Sequence, residues 1–299
     1  MEVRKLIQKD RSAVSTIAVI AIVIILVIAA GAAYVLLIDE DKETEAPGTM
    51  MKYEIYTNDV LSETQEQKIL GQNADSYFFV VDAVAGKQTY KLYLMDTKSP
   101  PKDMKQTGTT EMDTIDGRMT VAIWEYTKDG IAWKSYASPS TGVSYLHEGT
   151  QAGVKIKQVL VDYDLVMQTS YKQSKSIGTT YEYTMEVLPG YNYKTELKCV
   201  ADCLDDQFGV KYDFSSWNGG ELYFLSASPK GLPTDATDTK KTATLSTIDG
   251  SVTAQIWGLT IDESLSMDFY YDDDTQIVYR FVLKVAEGDL SFDLTKKPK

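Results

Sequence analysis

The chain opens with one long uncharged stretch, and short alternating segments follow it. Residues 12–38 read SAVSTIAVIAIVIILVIAAGAAYVLLI and contain no charged side chain. At about 1.5 Å rise per residue, a helix of this length extends about 40 Å, more than the roughly 30 Å hydrocarbon core of a bilayer. A helix also satisfies its own backbone hydrogen bonds in lipid. The pattern therefore predicts a single transmembrane helix at 12–38.

Beyond residue 50, the hydrophobic pattern is typical of strands. Short segments rich in Tyr, Val, Ile, Thr and Phe alternate with turns that contain Gly, Pro, Asn or Asp. In MTVAIWEY, alternate residues fall on opposite faces, as in a sheet that is covered on one or both sides. The predicted strands include YEIYT at 53–57, SYFFVVDAV at 76–84, TYKLYLM at 89–95, MTVAIWEY at 119–126 and IAWKSYA at 131–137.

Two regions depart from this strand pattern. The segment 62–74 begins with Ser-x-x-Gln and contains helix-forming residues, which favours a helix that Gly71 interrupts. The segment LKCVADCLDDQFG at 197–209 is compatible with a turn or with a short helix. Apart from these segments, the pattern predicts a mainly β fold after the transmembrane helix.

The later half of the chain repeats the earlier half. A four-residue motif recurs at an offset of 133, each copy is followed by a tryptophan, and Tyr53-Glu54 parallels Tyr181-Glu182. The ordered series predicts two tandem homologous antiparallel β-rich domains, at 51–152 and 153–299. The repeated residues are Thr114, Ile115, Asp116, Gly117 and Trp124 in the first copy, and Thr247, Ile248, Asp249, Gly250 and Trp257 in the second.

The repeated motif is interpreted first as a folding element. Asp-Gly specifies a tight hairpin turn, because Gly accepts a positive φ and Asp can bond the neighbouring backbone. Trp124 and Trp257 then supply large side chains for core packing. A binding role for the two tryptophans is the alternative.

The charges that flank the apolar run predict its orientation. Basic residues predominate in the leader at 1–11, and acidic residues predominate in the tether at 39–50. Because basic flanks stay in the cytoplasm, the N-terminus is predicted inside and the C-terminal region outside the cell membrane. Cleavage of a secretory signal near Ala30-Gly31-Ala32 is the competing interpretation, although the run is longer than an ordinary signal core.

The segment KDRSAVSTIAVIAIVIILVIAA resembles the N-terminus of archaeal type IV pilin-like proteins. That resemblance rests on Lys9 and Arg11 in a short basic leader, and on Ala13-Val14-Ser15 leading directly into the apolar helix. It implies cleavage between Ser12 and Ala13 by a prepilin-type peptidase. It also implies an export route and self-association of the helix in a filament. Thr16 stands where that family often has Pro.

Composition narrows the classes of partner. The formal charge is −13, so the chain would repel phosphate backbones, and nucleic acid is not an expected partner. The expected partners are the bilayer through residues 12–38, copies of the same helix, and an extracellular protein or glycan of unknown identity. Twenty tyrosines suit half-buried strands, which weakens the argument that they form exposed aromatic platforms.

Candidate chemistry is sparse. The single histidine, His147, is expected to be a solvated side chain at a strand end. Cys199 and Cys203 form a disulfide if they lie in a turn, but a flat strand would hold them too far apart. No nucleophile elbow, phosphate loop or dinucleotide fingerprint occurs, so no catalytic, cofactor-binding or metal-binding residue is predicted.

Three functions are compatible with these features. The favoured one is a non-enzymatic, membrane-anchored, extracytoplasmic surface protein whose duplicated β-domains bind or scaffold a partner. The second is a pilin-like subunit of an extracellular filament. The third is an envelope carrier of apolar ligands, which would require a large apolar concavity.

Overall fold

A computed structural model describes residues 44–97, 103–128, 130–168, 172–188, 190–217, 220–261, 264–286 and 288–298. The predicted leader, the transmembrane helix at 12–38, the processing site at Ser12 and Ala13 and the first part of the tether lie outside these ranges. Within the described ranges, no helix has the length and apolar character that crossing a membrane requires. The described part is mainly β, with two short 3-10 segments at Leu204–Asp206 and Ser215–Trp217.

The chain divides into two compact units. Among the described residues, those at 44–69 and 75–168 belong to unit 1, and those at 70–74 and 172–298 belong to unit 2. This division differs from the boundary at 152/153 that the sequence predicted. Residues 154–164 form a strand that pairs with strands at 144–151 and 50–57, so they belong to unit 1.

Unit 1 is built on an antiparallel sheet with the strand order β6-β7-β8-β9-β10-β2-β3. Strands β4 and β5 form a hairpin, and the short β1 pairs with β11. The strands are β1 (Thr44–Glu45), β2 (Met50–Thr57), β3 (Val60–Gln72, of which 60–69 lie in unit 1), β4 (Ser76–Ala85), β5 (Gln88–Thr97), β6 (Lys105–Thr114), β7 (Gly117–Lys128), β8 (Ile131–Ala137), β9 (Ser144–Gln151), β10 (Val154–Asp164) and β11 (Met167–Gln168).

Unit 2 is an antiparallel sheet with the order β16-β17-β18-β19-β20-β12-β13-β14-β15. The end of β13 also pairs with Gly71 and Gln72. The strands are β12 (Thr180–Leu188), β13 (Tyr191–Cys203), β14 (Phe208–Asp213), β15 (Glu221–Ser226), β16 (Thr237–Thr247), β17 (Gly250–Thr260), β18 (Ser266–Asp272), β19 (Ile277–Val285) and β20 (Gly288–Lys296).

The two units share their strand order. The order β6-β7-β8-β9-β10-β2-β3 in unit 1 corresponds, strand for strand, to the order β16-β17-β18-β19-β20-β12-β13 in unit 2. The register gives residue equivalences. Tyr53 lies opposite Gln65 and Leu160, as Tyr183 lies opposite Thr195 and Leu294. Tyr53 therefore corresponds to Tyr183, two residues after the Tyr181 that sequence comparison selected, because β12 carries tyrosine at both positions.

The five strand segments predicted from alternation all form strands, but the helical interpretation of 62–74 is wrong. Residues 60–72 form β3, whose inward positions include Glu63, Gln65 and Gln67. Because these inward side chains are polar, the alternation of this strand does not show as hydrophobic periodicity. Gly71 serves close packing instead of ending a helix, since a Cβ there would lie 2.1 Å from the carbonyl oxygen of Asp202.

The interiors of the two units differ in composition. Unit 2 has one continuous apolar core, in which Phe281 and Phe292 stack with their ring centroids 4.8 Å apart. The buried apolar residues of unit 1 fall into several smaller clusters. Buried polar side chains, including Gln65, Ser135 and His147, also lie in unit 1.

Close packing of Trp133 on Gly149 gives a test of the unit 1 core. These residues face each other on β8 and β9, and a Cβ on Gly149 would lie 2.7 Å from Cε3 of the indole ring. We expect Gly149→Ala to lower the free energy of unfolding by about 1–3 kcal/mol through overpacking. Urea titration of the full chain measures the loss.

Gly108 is the matched control, because it also lies in a strand and a Cβ there would meet nothing within 4 Å. Gly108→Ala should change the free energy of unfolding by less than about 0.5 kcal/mol. Equal losses in the two variants would contradict the packing assignment.

Candidate functional site

Each copy of the repeated motif forms the same clamped turn. Thr114 donates its hydroxyl to the Gly117 carbonyl at 2.9 Å and accepts the Asp116 amide at 3.1 Å. Thr247 makes the same two contacts, at 2.9 and 3.1 Å, with Gly250 and Asp249. The turns join β6 to β7 and β16 to β17, as the Asp-Gly signal predicts.

A tyrosine from another strand secures each turn. Tyr145 donates its hydroxyl to Asp116 at 2.5 Å, and Tyr279 donates to Asp249 at 2.5 Å. Tyr163 in unit 1 and Lys297 in unit 2 also donate to these carboxylates. The Lys297 ammonium, and next the Tyr279 hydroxyl, lower the pKa of Asp249. The exposed Ile115 and Ile248 of the motif lie at the turn tips.

The repeated tryptophans occupy equivalent register positions. Trp124 lies opposite Ser135, and Trp257 lies opposite Phe269. Both are half-buried, and Trp257 packs on the unit 2 core and meets Tyr271 edge to face at 6.5 Å. Their assignment to core packing or to binding stays a prediction.

The two cysteines are free thiols on one strand. Cys199 and Cys203 both lie in β13. Four residues along a strand span about 13 Å, whereas a disulfide needs Cα atoms within about 7 Å. Burial raises the pKa of Cys199 to about 12, so this thiol stays protonated at neutral pH.

The register of unit 1 brings a line of polar side chains across its inner face. Gln158 of β10 lies directly opposite His147 of β9, and His147 lies opposite Ser135 of β8. On the other side, Gln158 lies opposite Ile55, which lies opposite Glu63. We call Glu63, Gln158, His147 and Ser135 the polar row. All four are buried.

The equivalent line in unit 2 is aromatic. Phe269, Phe281 and Phe292 lie opposite one another on β18, β19 and β20. They occupy the positions of Ser135, His147 and Gln158, each at an offset of 134 residues. Extending the sequence alignment of the two halves at an offset of 134 residues would have identified these positions of the row.

His147 is not the solvated side chain that the sequence suggested. It is 0 % exposed, and neither ring nitrogen has a hydrogen-bond partner among the residues that the structure describes. The β9 strand continues past it to Gln151, so the residue lies inside the sheet and not at its end. Burial lowers the pKa of His147 to about 4, which keeps the imidazole neutral at physiological pH.

Glu63 begins a polar ladder along β3. Gln65 donates to the Glu63 carboxylate at 2.8 Å, and Tyr90 donates to the same oxygen at 2.7 Å. Burial raises the pKa of Glu63, and these two hydrogen bonds act in the opposite direction. The only carboxylate of the row is therefore already engaged by neutral donors.

Several buried polar atoms near the row have no partner within the described structure. They are both ring nitrogens of His147, both amide atoms of Gln158, and Nε1 of Trp133, which precedes Ser135 by two residues. Each unmet group costs about 1–3 kcal/mol.

The grooves on the surfaces of the units have a different character. An open groove of about 520 Å³ in unit 1 contains the ion pair between Lys134 and Glu125, at 2.8 Å. An open groove of about 530 Å³ in unit 2 contains the pair between Lys284 and Asp268, at 2.6 Å. Both hold paired charges, so neither is the apolar concavity that the carrier hypothesis requires.

The row offers hydrogen bonds but no set of metal ligands. Within the described ranges, no three His, Cys, Asp or Glu side chains gather around a common point. Ser135 lies opposite His147, but its hydroxyl bonds the Ser144 hydroxyl at 2.7 Å, and the imidazole makes no hydrogen bond to it.

The tyrosine clamps should stabilise both units. We expect Tyr145→Phe and Tyr279→Phe each to lower the free energy of unfolding by about 1–2 kcal/mol, because a hydrogen bond to a carboxylate is lost while the ring remains. Tyr56→Phe is the control, since its hydroxyl bonds Glu54 two residues away in the same strand. Urea titration should show a smaller change for the control than for either clamp variant.

Burial of neutral His147 predicts acid sensitivity. Its folded pKa of about 4 lies below the ordinary 6.5, so the unfolded chain binds more protons between these values. Stability should therefore fall by about 2–3 kcal/mol as the pH drops from 6.5 to 4. In His147→Phe this part of the slope should disappear, as measured by urea titration across that pH range.

Glu63 acts in the opposite sense, because its raised pKa makes stability fall as pH rises above its ordinary value. The difference in pH slope between wild type and His147→Phe isolates the contribution of the histidine. Lys157→Gln, on the outer face of β10, should keep the wild-type slope. An unchanged slope in His147→Phe would contradict a buried neutral imidazole.

Comparison with known proteins does not identify a family for this chain. No known family matches it, and no curated protein matches it. Among solved structures, MucB in complex with MucA(peri) has a TM-score of 0.29 at 9% identity, over 83% of this chain and 87% of that chain. The Pseudomonas aeruginosa MucA/MucB complex has a TM-score of 0.29 at 8% identity, over 83% and 87%. A structure of MucB has a TM-score of 0.30 at 8% identity, over 77% and 90%. Likeness at this level carries no argument about fold or function.

Proposed function

We propose that this protein is a non-enzymatic, extracytoplasmic binding protein, anchored in the cell membrane by residues 12–38 and carrying two homologous β units. The apolar run and its flanking charges support the anchor and its orientation. The shared strand order and the two clamped turns, with Asp116–Tyr145 matching Asp249–Tyr279, support the duplication.

One observation carries the binding function. Equivalent inner positions hold Phe281 and Phe292 in unit 2 but His147 and Gln158 in unit 1. The aromatic version fills its core, so the fold does not require polar residues there. Polar groups kept at a cost in stability are typical of a functional site. We therefore assign binding to unit 1 and a structural role to unit 2.

The pilin-like filament is the second candidate. It is favoured by the resemblance of the N-terminus, in which Ser12 and Ala13 flank the cleavage position. In that case the helix leaves the bilayer and packs with copies of itself.

Native mass spectrometry of the protein, recovered from membranes and from sheared extracellular material, tests both. We expect a membrane-bound chain that starts at Met1 and carries one non-covalent ligand. A chain that starts at Ala13 in the sheared fraction would support the filament instead. A form without a bound small molecule in either fraction would contradict the binding function.

A further inference from the structure

Strand β16 forms one edge of the unit 2 sheet. Within the described ranges, its backbone pairs only with β17. Thr247 and Gly250 close a two-residue turn and form a hydrogen-bonded pair, and such pairs alternate with non-bonded ones along an antiparallel ladder. The backbone amide and carbonyl groups of Thr242, Thr244 and Ser246 therefore point away from β17. The side chains of these three residues are exposed.

The corresponding edge of unit 1 carries charges. Strand β6 occupies the place of β16, and at an offset of 133 residues Glu111 and Asp113 stand at the positions of Thr244 and Ser246. Both acidic side chains are exposed. Charged side chains on an edge strand oppose its pairing with another chain. Unit 2 therefore has an uncharged segment at the edge where unit 1 has two carboxylates.

A second copy of β16 fits this uncharged edge. In an antiparallel pairing about a two-fold axis at Thr244, this residue lies opposite the same residue of the second copy, and Thr242 lies opposite Ser246. On the other face of the sheet, Ala243 lies opposite Leu245. Cross-strand pairs of Thr and Ser form hydrogen bonds that stabilise a sheet. The pairing opposes no like charges.

The same pairing of β6 would be unfavourable. Centred on Glu111, it would place two carboxylates directly opposite each other, which destabilises a sheet. In β16 the charged residues Lys240 and Lys241 come before the uncharged segment, and the ladder with β17 is irregular between Asp238 and Lys241. The edge that can pair with a second copy is therefore limited to residues 242–247.

We propose that the protein forms a symmetric dimer in which residues 242–247 of β16 pair antiparallel with the same residues of a second copy. This interface uses neither the apolar helix nor the polar row, so it goes beyond the proposed function and does not depend on a ligand in unit 1. Anchoring of two copies in one membrane would raise their effective concentration, so a short strand pairing suffices.

Disulfide cross-linking of the full chain in detergent micelles tests the register. Thr244→Cys should link to its own copy, because directly opposed, hydrogen-bonded residues have Cα atoms about 5.5 Å apart, within reach of a disulfide. Ser246→Cys is the matched control on the same face. Its two copies would lie four residues apart along the strands, about 13 Å, so it should not link alone. A mixture of Thr242→Cys and Ser246→Cys should link, and peptide mass mapping identifies each bridge.

Sedimentation of the full chain in the same micelles measures the dimer. Thr244→Glu, which copies the charge of the unit 1 edge, should raise the dimer dissociation constant about tenfold. Thr253→Glu is the control, because Thr253 is exposed and lies opposite Thr244 on β17, one strand away from the edge. It should dimerise as wild type does. Near-UV circular dichroism checks folding, and the cross-links decide if Thr244→Glu is misfolded.

Two outcomes would overturn the proposal. One is a monomeric wild type in which Thr244→Cys forms no link. The other is a dimer that Thr244→Glu leaves intact and that Thr244→Cys does not link, which would assign the association to the apolar helix. Neither outcome bears on a ligand bound by unit 1, which native mass spectrometry detects separately.

Discussion

Strand register is the constraint on which the rest of this structure depends. Antiparallel pairing fixes which residues face each other, and directly opposed residues share a face of the sheet. In each unit the clamped Asp-Gly turn sets the register of the first hairpin, and a tyrosine from a third strand secures it. Once that register is set, pairing with the neighbouring strands commits their side chains to the inside or the outside.

Register also explains how one topology supports two interiors. Trp133 over Gly149 in unit 1 stands where Met267 faces Leu283 in unit 2, so a large and a small side chain replace two of middle size. Such exchanges conserve volume and cost little. Ser135, His147 and Gln158 in place of three phenylalanines do not conserve it, and His147 and Gln158 bring polar atoms that have no partner within the described residues. The exchange at Trp133 and Gly149 only repacks the interior, whereas the exchange at Ser135, His147 and Gln158 changes its side-chain volume and polarity.

Sequence patterns predicted the parts of the fold whose signals are local. Alternating apolar residues located β2, β4, β5, β7 and β8, and Asp-Gly located both repeated turns. They failed at β3, where the inward residues Glu63, Gln65 and Gln67 are polar and the composition favours a helix. They also failed at His147, whose burial depends on strands that are distant in the chain. The polar row joins residues from four strands, so no single window contains it.

The failures at β3 and at His147 have one physical origin. Hydrophobic periodicity detects a strand only when its inner face is apolar. In unit 1 the inner face is polar at Glu63, Gln65 and Gln67 of β3 and at single positions of β8, β9 and β10. Inward polar residues remove the hydrophobic periodicity by which a strand is recognised. At His147 and Gln158 they also add hydrogen-bonding atoms that have no partner among the described residues. Unit 2, which has the same strand order and an aromatic core, shows that this topology forms without polar residues at these positions. The segments that sequence analysis misread are therefore those whose inward side chains give no hydrophobic signal.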